Sequence, residues 1–254
     1  MLRPNLLVFD FDGVIVDGMR EYWWSSRRAC LKLLPGADLP ESAPEQFGQL
    51  RPWIHHGWEM VLIAAMLSEH RGPLQQLGSE VFVRDYDAHC ASALQRFGWT
   101  SVLLQQALEG VRAEAVRSDR DAWLALHQPY PGVPERLQAF KEENLFWAVL
   151  TTKSRDFTAE LLASMGLNPQ RIDGHESGSK PDVLRRLACE WRLGGFVEDR
   201  RPTLEAVRAT SGLETLPCWL VSWGYLRPAD VIDLSAGIQL LHPEQFAAPL
   251  ADWP

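Results

Sequence analysis

Two aspartates near the start of the chain have the spacing that catalysis or metal binding requires. Four apolar residues at 6–9 predict a short buried strand, which ends at Asp10 and is followed one residue later by Asp12. In an extended backbone, residues i and i+2 point the same way, so the two carboxylates are expected to face one spot. Gly13 allows a sharp turn directly after them. Crowded carboxylates repel each other unless a cation is present, and Mg²⁺ is the usual choice for oxygen ligands.

The second half of the chain predicts the sheet that positions these acids. Apolar segments alternate with helical ones, and we expect strands at 145–150, 195–197, 218–222 and 237–241. Strands that alternate with helices predict a parallel, doubly wound sheet, and the strand at 6–9 has to join it. The fold class is therefore α/β with a Rossmann-like core.

The first half of the chain predicts an all-helical insertion after the first strand. Residues 17–127 carry almost no strand signal, and Thr100 is a plausible N-cap for the longest helical stretch, 100–127. A proline-rich segment at 128–132, QPYPG, predicts a hinge. The predicted domains are a core of residues 1–16 and 128–254 and a helical domain of residues 17–127.

Polar residues follow several of the predicted strands. Ligands of such sheets bind beyond the carboxyl ends of the strands, where these residues are expected to converge. The candidates are Asp10, Asp12, Thr151, Thr152, Lys180, Glu198 and Asp199. Acids, a hydroxyl group and a lysine together suit a metal ion, a phosphoryl group and a nucleophile.

Composition limits the possible partners. The chain has 254 residues, of which 46% are hydrophobic and 23% charged, and its net charge of −8 argues against nucleic acid as the main partner. Four scattered cysteines show no metal-binding spacing and predict reduced thiols. No apolar run approaches the roughly 20 residues that span a bilayer, and we expect no signal peptide, because a strand is predicted almost at the first residue. We expect a cytoplasmic protein without a membrane partner, and the sequence leaves its oligomeric state open.

Four motifs, DFDGVIVD, VLTT, SKPD and VED, occur in an order that resembles the haloacid dehalogenase (HAD) superfamily. The segment YPGVPERLQAFKEENLFWAVLTTK is similar to its phosphoglycolate-phosphatase-like members, and VSWGY at 221–225 is similar to a turn after one of their later core strands. The helical insertion resembles the C1-type cap of this family, which closes over the substrate.

The resemblance implies roles for the acids. Asp10 corresponds to a nucleophile that forms an aspartyl phosphate, and Asp12 to the acid and base that serves the leaving group and then the attacking water. Mg²⁺ is expected to be bound by Asp10, by the backbone carbonyl of Asp12 and by Asp199. Glu198 stands where the fourth motif often has glycine, and Thr203 where it has a second acid. We expect Glu198 to serve as an additional metal-site acid.

The remaining candidates concern the substrate. The resemblance implies that Thr151 and the backbone N–H of Thr152 bind phosphoryl oxygens, and that Lys180 offsets the negative charge. Arg51, in the helical insertion, could bind a second anionic group of the substrate. A structural role in a tryptophan-rich region is an equal alternative for Arg51.

The leading hypothesis is a Mg²⁺-dependent phosphatase that acts on a small phosphorylated metabolite. Asp12 favours a phosphate ester over a carbon–halogen bond, because halide departure needs no acid. One alternative is a phosphomutase of the same superfamily. Another is a phosphate-binding or regulatory protein with weakened catalysis, for which the altered fourth motif is the support.

Overall fold

The structure, a computed structural model, describes residues 5–254. The contacts between residues divide the chain into two compact units. The first consists of the described part of Met1–Asp17 together with Gln128–Pro254, and the second of Gly18–His127. The first unit thus includes Asp17, which the sequence assigned to the helical domain.

The first unit is built on a parallel sheet of six strands among the described residues. Its strands are β1 (Asn5–Phe9), β4 (Phe146–Leu150), β5 (Arg171–Asp173), β6 (Arg192–Glu198), β7 (Cys218–Val221) and β8 (Ile238–Leu241). They lie in the order β5-β4-β1-β6-β7-β8, and every neighbouring pair is parallel. After β1, the chain adds β4 and β5 on one side of it and then β6, β7 and β8 on the other side. This is the doubly wound, Rossmann-like order. The predicted fold class is confirmed.

A second, very short ladder pairs β2 (Val16–Asp17) with β3 (Gln128–Pro129) in antiparallel orientation. The described helices are α1 (Met19–Leu33), α2 (Glu45–Leu50), α3 (Gly57–Leu67), α4 (Pro73–Leu77), α5 (Ser79–Phe82), α6 (Tyr86–Phe97), α7 (Ser101–Leu124), α8 (Val133–Ala139), α9 (Arg155–Ser164), α10 (Lys180–Glu190), α11 (Arg201–Arg208) and α12 (Pro243–Ala247). None of them has the length and apolar character that a membrane crossing requires.

Both faces of β1 are buried, which explains its uninterrupted apolar sequence. Leu6 and Val8 belong to a core cluster with apolar side chains of α10 and α11. On the opposite face, the ring of Phe9 packs against the rings of Phe140 and Phe246, at centroid distances of 5.8 and 6.3 Å. The central strand is thereby fixed from both sides, and so is the residue that follows it.

Two features of the first unit differ from the sequence expectations. Strand β5 was missed, because its three residues include a single apolar one, Ile172, between Arg171 and Asp173. The segment 128–132, predicted as a hinge, begins with the strand β3. A ladder of two residues leaves no alternation of apolar and polar side chains from which it could be predicted.

The regular elements of the second unit are all helices among its described residues. Thr100 accepts a hydrogen bond from the backbone N–H of Leu103, which confirms the predicted N-cap of α7. The expected continuous helix to His127 is wrong, because Asp119 has non-helical backbone angles within α7. The Asp119 carboxylate accepts a hydrogen bond from the N–H of Ala122. Such a bond from a side chain to the backbone competes with the backbone hydrogen bonds of a regular helix.

A buried ion pair joins α1 to α7 inside this unit. Arg112 donates through Nε and Nη2 to the two carboxylate oxygens of Glu21, at 2.7 Å each. Ser25 also donates to Glu21, and His127 lies 3.9 Å from it. Because the Glu21 side chain is fully buried, its charge depends on these partners.

We predict that Arg112→Met lowers the free energy of unfolding by about 3–5 kcal/mol, because it leaves the Glu21 carboxylate buried without its main cation. Urea denaturation followed by circular dichroism measures this. The double variant Glu21→Leu/Arg112→Met is the matched control and should recover most of the loss. A double variant as unstable as the sum of the two single variants would contradict the pairing.

Candidate active site

The Asp10 side chain is placed by the end of the central strand. The N–H of Asp10 donates to the carbonyl of Val197 in the neighbouring strand β6, at 2.8 Å. The chain then turns, with Gly13 at φ +88°, where a side chain would be strained. A Cβ atom at Gly13 would also overlap the carboxylate of Asp199. Glycine is therefore required at this position by both its backbone angle and its surroundings.

Three buried carboxylates meet beyond the carboxyl ends of β1 and β6. Asp10 follows β1, Glu198 ends β6 and Asp199 comes next. Each offers an oxygen within 4.8 Å of the others, and the residues are 7%, 0% and 1% exposed. Because β1 and β6 are adjacent strands on the two sides of the winding, this is the crevice where doubly wound sheets bind ligands.

Lys180, the first residue of α10, provides a positive charge to this cluster. Its Nζ lies 2.9 Å from Oδ1 of Asp10 and 2.6 Å from Oε2 of Glu198. Ser179 caps the helix by accepting a hydrogen bond from the N–H of Asp182, which fixes where α10 begins. One lysine thus contacts two of the three acids.

The pKa values express the excess of negative charge. The pKa of Asp10 is raised to about 7, mainly by burial and then by the charge of Glu198, although Lys180 acts in the opposite direction. Burial also raises the pKa of Glu198, against the effect of Lys180. Burial disfavours the charged form of Lys180, but its two carboxylate partners outweigh this and raise its pKa. A single lysine therefore leaves the cluster short of positive charge.

The donor set fits a divalent cation that prefers oxygen ligands, such as Mg²⁺. Oε1 of Glu198 already accepts hydrogen bonds from the N–H groups of Asp199 and Arg200, at 3.0 and 3.2 Å, and Oε2 accepts one from Lys180. Asp10 and Asp199 are therefore the better candidates for direct ligands, with Glu198 as their hydrogen-bonded neighbour. The sequence expectation that Glu198 also serves the metal stays a prediction.

Asp12 lies outside this cluster of three acids. Its Oδ1 is 3.6 Å from Nζ of Lys153, whose side chain is almost completely buried. The chain turns after β1, with the N–H of Ile15 donating to the carbonyl of Phe11, so Asp12 lies beyond the end of the strand. Asp12 therefore has its own cationic partner. The expectation that its carboxylate faces the same spot as that of Asp10 stays a prediction.

Lys153 is the residue that the sequence reasoning missed. It stands two positions after Thr151, at the end of β4, and its N–H donates to Oγ1 of Thr151 at 3.1 Å. A lysine three residues after the end of the predicted strand was the available signal. Thr151 is buried and Thr152 is exposed, so the two predicted phosphate-binding residues occupy different environments.

Arg51 lies in the second unit, in the short 3₁₀ turn Arg51–Trp53. Its guanidinium carbon is 5.0 Å from the centroid of the Tyr22 ring, within the range of a cation–π contact. The predicted contact of Arg51 with a substrate stays a prediction.

The chain belongs to the haloacid dehalogenase-like hydrolases, whose family model matches residues 4–194. This agrees with the resemblance carried by the four sequence motifs.

Two similar proteins are phosphatases. An N-acetylmuramic acid 6-phosphate phosphatase of Pseudomonas aeruginosa is 27% identical over 158 residues, which cover 58% of this chain and 68% of that protein. A phosphoglycolate phosphatase of Pseudomonas syringae pv. syringae is 24% identical over 237 residues, 87% of this chain and 71% of that protein. Among solved structures, a predicted phosphoglycolate phosphatase from Haemophilus somnus 129pt has the same fold, with a TM-score of 0.61 and 18% identity over 97% of this chain and 96% of that one.

We predict that Mg²⁺ stabilises the protein, because a cation between Asp10 and Asp199 relieves their repulsion. At a concentration 100 times its Kd, one bound ion adds about 2.7 kcal/mol to the free energy of unfolding. Thermal unfolding with and without MgCl₂ measures the shift in Tm. Asp199→Asn should abolish most of the shift, whereas Asp156→Asn, an exposed acid on α9, should retain it. An equal shift in both variants would contradict the site.

Proposed function

We propose that this chain is a Mg²⁺-dependent phosphatase that hydrolyses a small phosphate monoester of the cytoplasm, with Asp10 as the nucleophile. The supporting observation is the position of Asp10, a buried carboxylate in contact with Lys180 and beside Asp199 at the crevice of a doubly wound sheet. Membership of the hydrolase family and the two phosphatase relatives also support hydrolysis of a phosphate ester.

In the first step, a carboxylate oxygen of Asp10 attacks phosphorus and forms a P–O bond. The bond between phosphorus and the ester oxygen breaks, and Asp12 gives its proton to the departing alcohol. Lys180, next to Asp10, stabilises negative charge on the phosphoryl group. Mg²⁺ held by Asp10 and Asp199 would supply further neutralisation of that charge.

In the second step, water attacks the phosphorus of the aspartyl phosphate. Asp12, now a carboxylate, takes a proton from this water, and the bond between phosphorus and Asp10 breaks. Inorganic phosphate leaves, and both aspartates return to their starting forms. Lys153, whose Nζ lies 3.6 Å from Oδ1 of Asp12, places a cationic group beside the position where Asp12 gives up and takes back its proton.

The phosphate is held near the ends of the strands. The buried Thr151 hydroxyl and the N–H of Thr152 follow β4, which is adjacent to β1 in the sheet. Hydrogen-bond donors at this place can bind phosphoryl oxygens while Asp10 attacks.

We further propose that the substrate carries a carboxylate as well as the phosphate. The names of the two relatives, an N-acetylmuramic acid 6-phosphate phosphatase and a phosphoglycolate phosphatase, each describe a phosphorylated carboxylic acid. Arg51 is a candidate for binding the carboxylate, since a guanidinium group can donate two parallel hydrogen bonds to it.

Asp10→Asn should lower kcat for p-nitrophenyl phosphate hydrolysis, measured with Mg²⁺, by a factor of at least about 10³, because an amide cannot replace the nucleophile. Because the substitution removes one of three crowded carboxylates, the Tm of the Asp10→Asn variant without Mg²⁺ should not fall below that of the wild type. Asp156→Asn is the control for an unrelated acid. Equal rates for wild type and Asp10→Asn would exclude Asp10 as the nucleophile. If the wild type isomerises a sugar phosphate without releasing phosphate, the protein is a mutase and not a phosphatase.

Arg51→Met should raise KM for phosphorylated carboxylic acids by roughly 10- to 100-fold, on the order of one charge-assisted hydrogen-bonded pair. KM for p-nitrophenyl phosphate, which has no carboxylate, should change little. Arg28→Met removes an exposed arginine that packs over Trp24 in the same unit and serves as the control. A similar rise in KM for both substrates would contradict a carboxylate-specific contact.

A further inference from the structure

The turn that follows β7 contacts the segment that carries Asp10. This segment, residues 10–17, is called the Asp10 segment below. Trp223 lies in the turn, and its Nε1 donates to the carbonyl of Val14 at 3.1 Å. The turn belongs to the sequence VSWGY, for which the proposed reaction gives no role. Because the turn contacts the segment that carries the proposed nucleophile, its other contacts with that segment and with Asp199 bear on the geometry of the site.

Tyr225, in the same turn, forms hydrogen bonds with two carboxylates. Its backbone N–H donates to Oδ2 of Asp199 at 2.9 Å, and its hydroxyl donates to Oδ1 of Asp17 at 2.7 Å. Asp199 is a candidate metal ligand, and Asp17 is the last residue of the Asp10 segment. Hydrogen bonds to ionised acceptors are roughly twice as strong as those between neutral groups. Tyr225 therefore links the Asp199 carboxylate to the far end of the Asp10 segment.

The backbone of the turn packs closely against Asp199 and the Asp10 segment. A Cβ atom at Gly224 would overlap the Cβ of Asp199 and lie 2.7 Å from the carbonyl oxygen of Gly13. A Cβ atom at Gly13 would lie 3.0 Å from Cδ2 of Tyr225. The turn, the Asp10 segment and Asp199 are in contact at backbone distance, so a shift of one displaces the others.

We propose that Tyr225 is a positioning residue. Its backbone N–H orients the Asp199 carboxylate, and its hydroxyl fixes the Asp10 segment relative to Asp199. The inference rests on the proposed function only in taking Asp10 and Asp199 as metal ligands. Residues that hydrogen-bond to metal ligands set the orientation in which those ligands meet the ion. Because coupling between sites is reciprocal, Mg²⁺ binding should also order the Asp10 segment through Tyr225.

The test is Tyr225→Phe in the full-length protein. This change removes the bond to Asp17 and keeps the backbone N–H that Asp199 accepts. We expect Mg²⁺ affinity, measured by isothermal titration calorimetry, to fall by roughly 5- to 20-fold, near the lower end of the range for residues that support metal ligands. Mg²⁺-dependent protection of amides 11–17 in hydrogen exchange should decrease, and kcat at saturating Mg²⁺ should fall more than KM rises.

Tyr86→Phe is the matched control. The Tyr86 hydroxyl donates to a carboxylate oxygen of Glu59 at 2.7 Å in the second unit, so the same chemical group and bond length are lost. We expect its Mg²⁺ affinity to stay within about twofold of the wild type, whatever the change in Tm. Adding Asp17→Asn to Tyr225→Phe should weaken Mg²⁺ binding no further, because the hydrogen bond that Asp17 accepts is already lost in Tyr225→Phe.

Unchanged Mg²⁺ affinity and unchanged amide protection in Tyr225→Phe would overturn the proposal. An equal loss of affinity in Tyr86→Phe would overturn it too, because the effect would then be one of general stability. The proposed function fails separately: a wild type that binds Mg²⁺ and releases no phosphate would exclude the phosphatase, while weaker Mg²⁺ binding by Tyr225→Phe would still support the positioning role.

Discussion

The mutual repulsion of three buried carboxylates is the constraint on which the candidate site depends. Asp10, Glu198 and Asp199 meet where water cannot screen their charges, and Lys180 contacts two of them. Such an arrangement lowers the stability of the fold, which points to a functional role for the three acids. The excess negative charge makes a divalent cation favourable, and it keeps the lysine protonated between its two acid partners.

The sheet topology creates this crowding. Asp10 and Glu198 come from neighbouring strands that the chain reaches on opposite sides of its winding, nearly 190 residues apart in sequence. The central strand is held by apolar contacts on both faces, so the site has a rigid base. Glu198 also fixes the site, because its carboxylate oxygens accept hydrogen bonds from Lys180 and from two backbone N–H groups after β6.

Most of the core could be predicted from the sequence, because the buried strands leave a clear pattern in it. The buried strands are continuous apolar runs, and the polar residues that follow them had to meet at one edge of a parallel sheet. The strand β5 and the ladder of β2 with β3 are too short to produce a pattern. The pairing of Asp12 with Lys153, and the hydrogen bonds of Tyr225, depend on how turns fold beyond the strands, which no periodicity encodes. The non-helical residue Asp119 in α7 depends on a local side-chain hydrogen bond that competes with the helix.

The most direct test of the central claim asks whether Asp10 can bind a phosphoryl mimic with help from a divalent cation. Beryllium fluoride binds to reactive aspartates as an analogue of aspartyl phosphate, and ¹⁹F NMR detects the bound species. We expect a bound signal in the wild type that requires Mg²⁺ and is absent in Asp10→Asn. A wild type without this signal in the presence of Mg²⁺, or an identical signal in Asp10→Asn, would contradict the central claim.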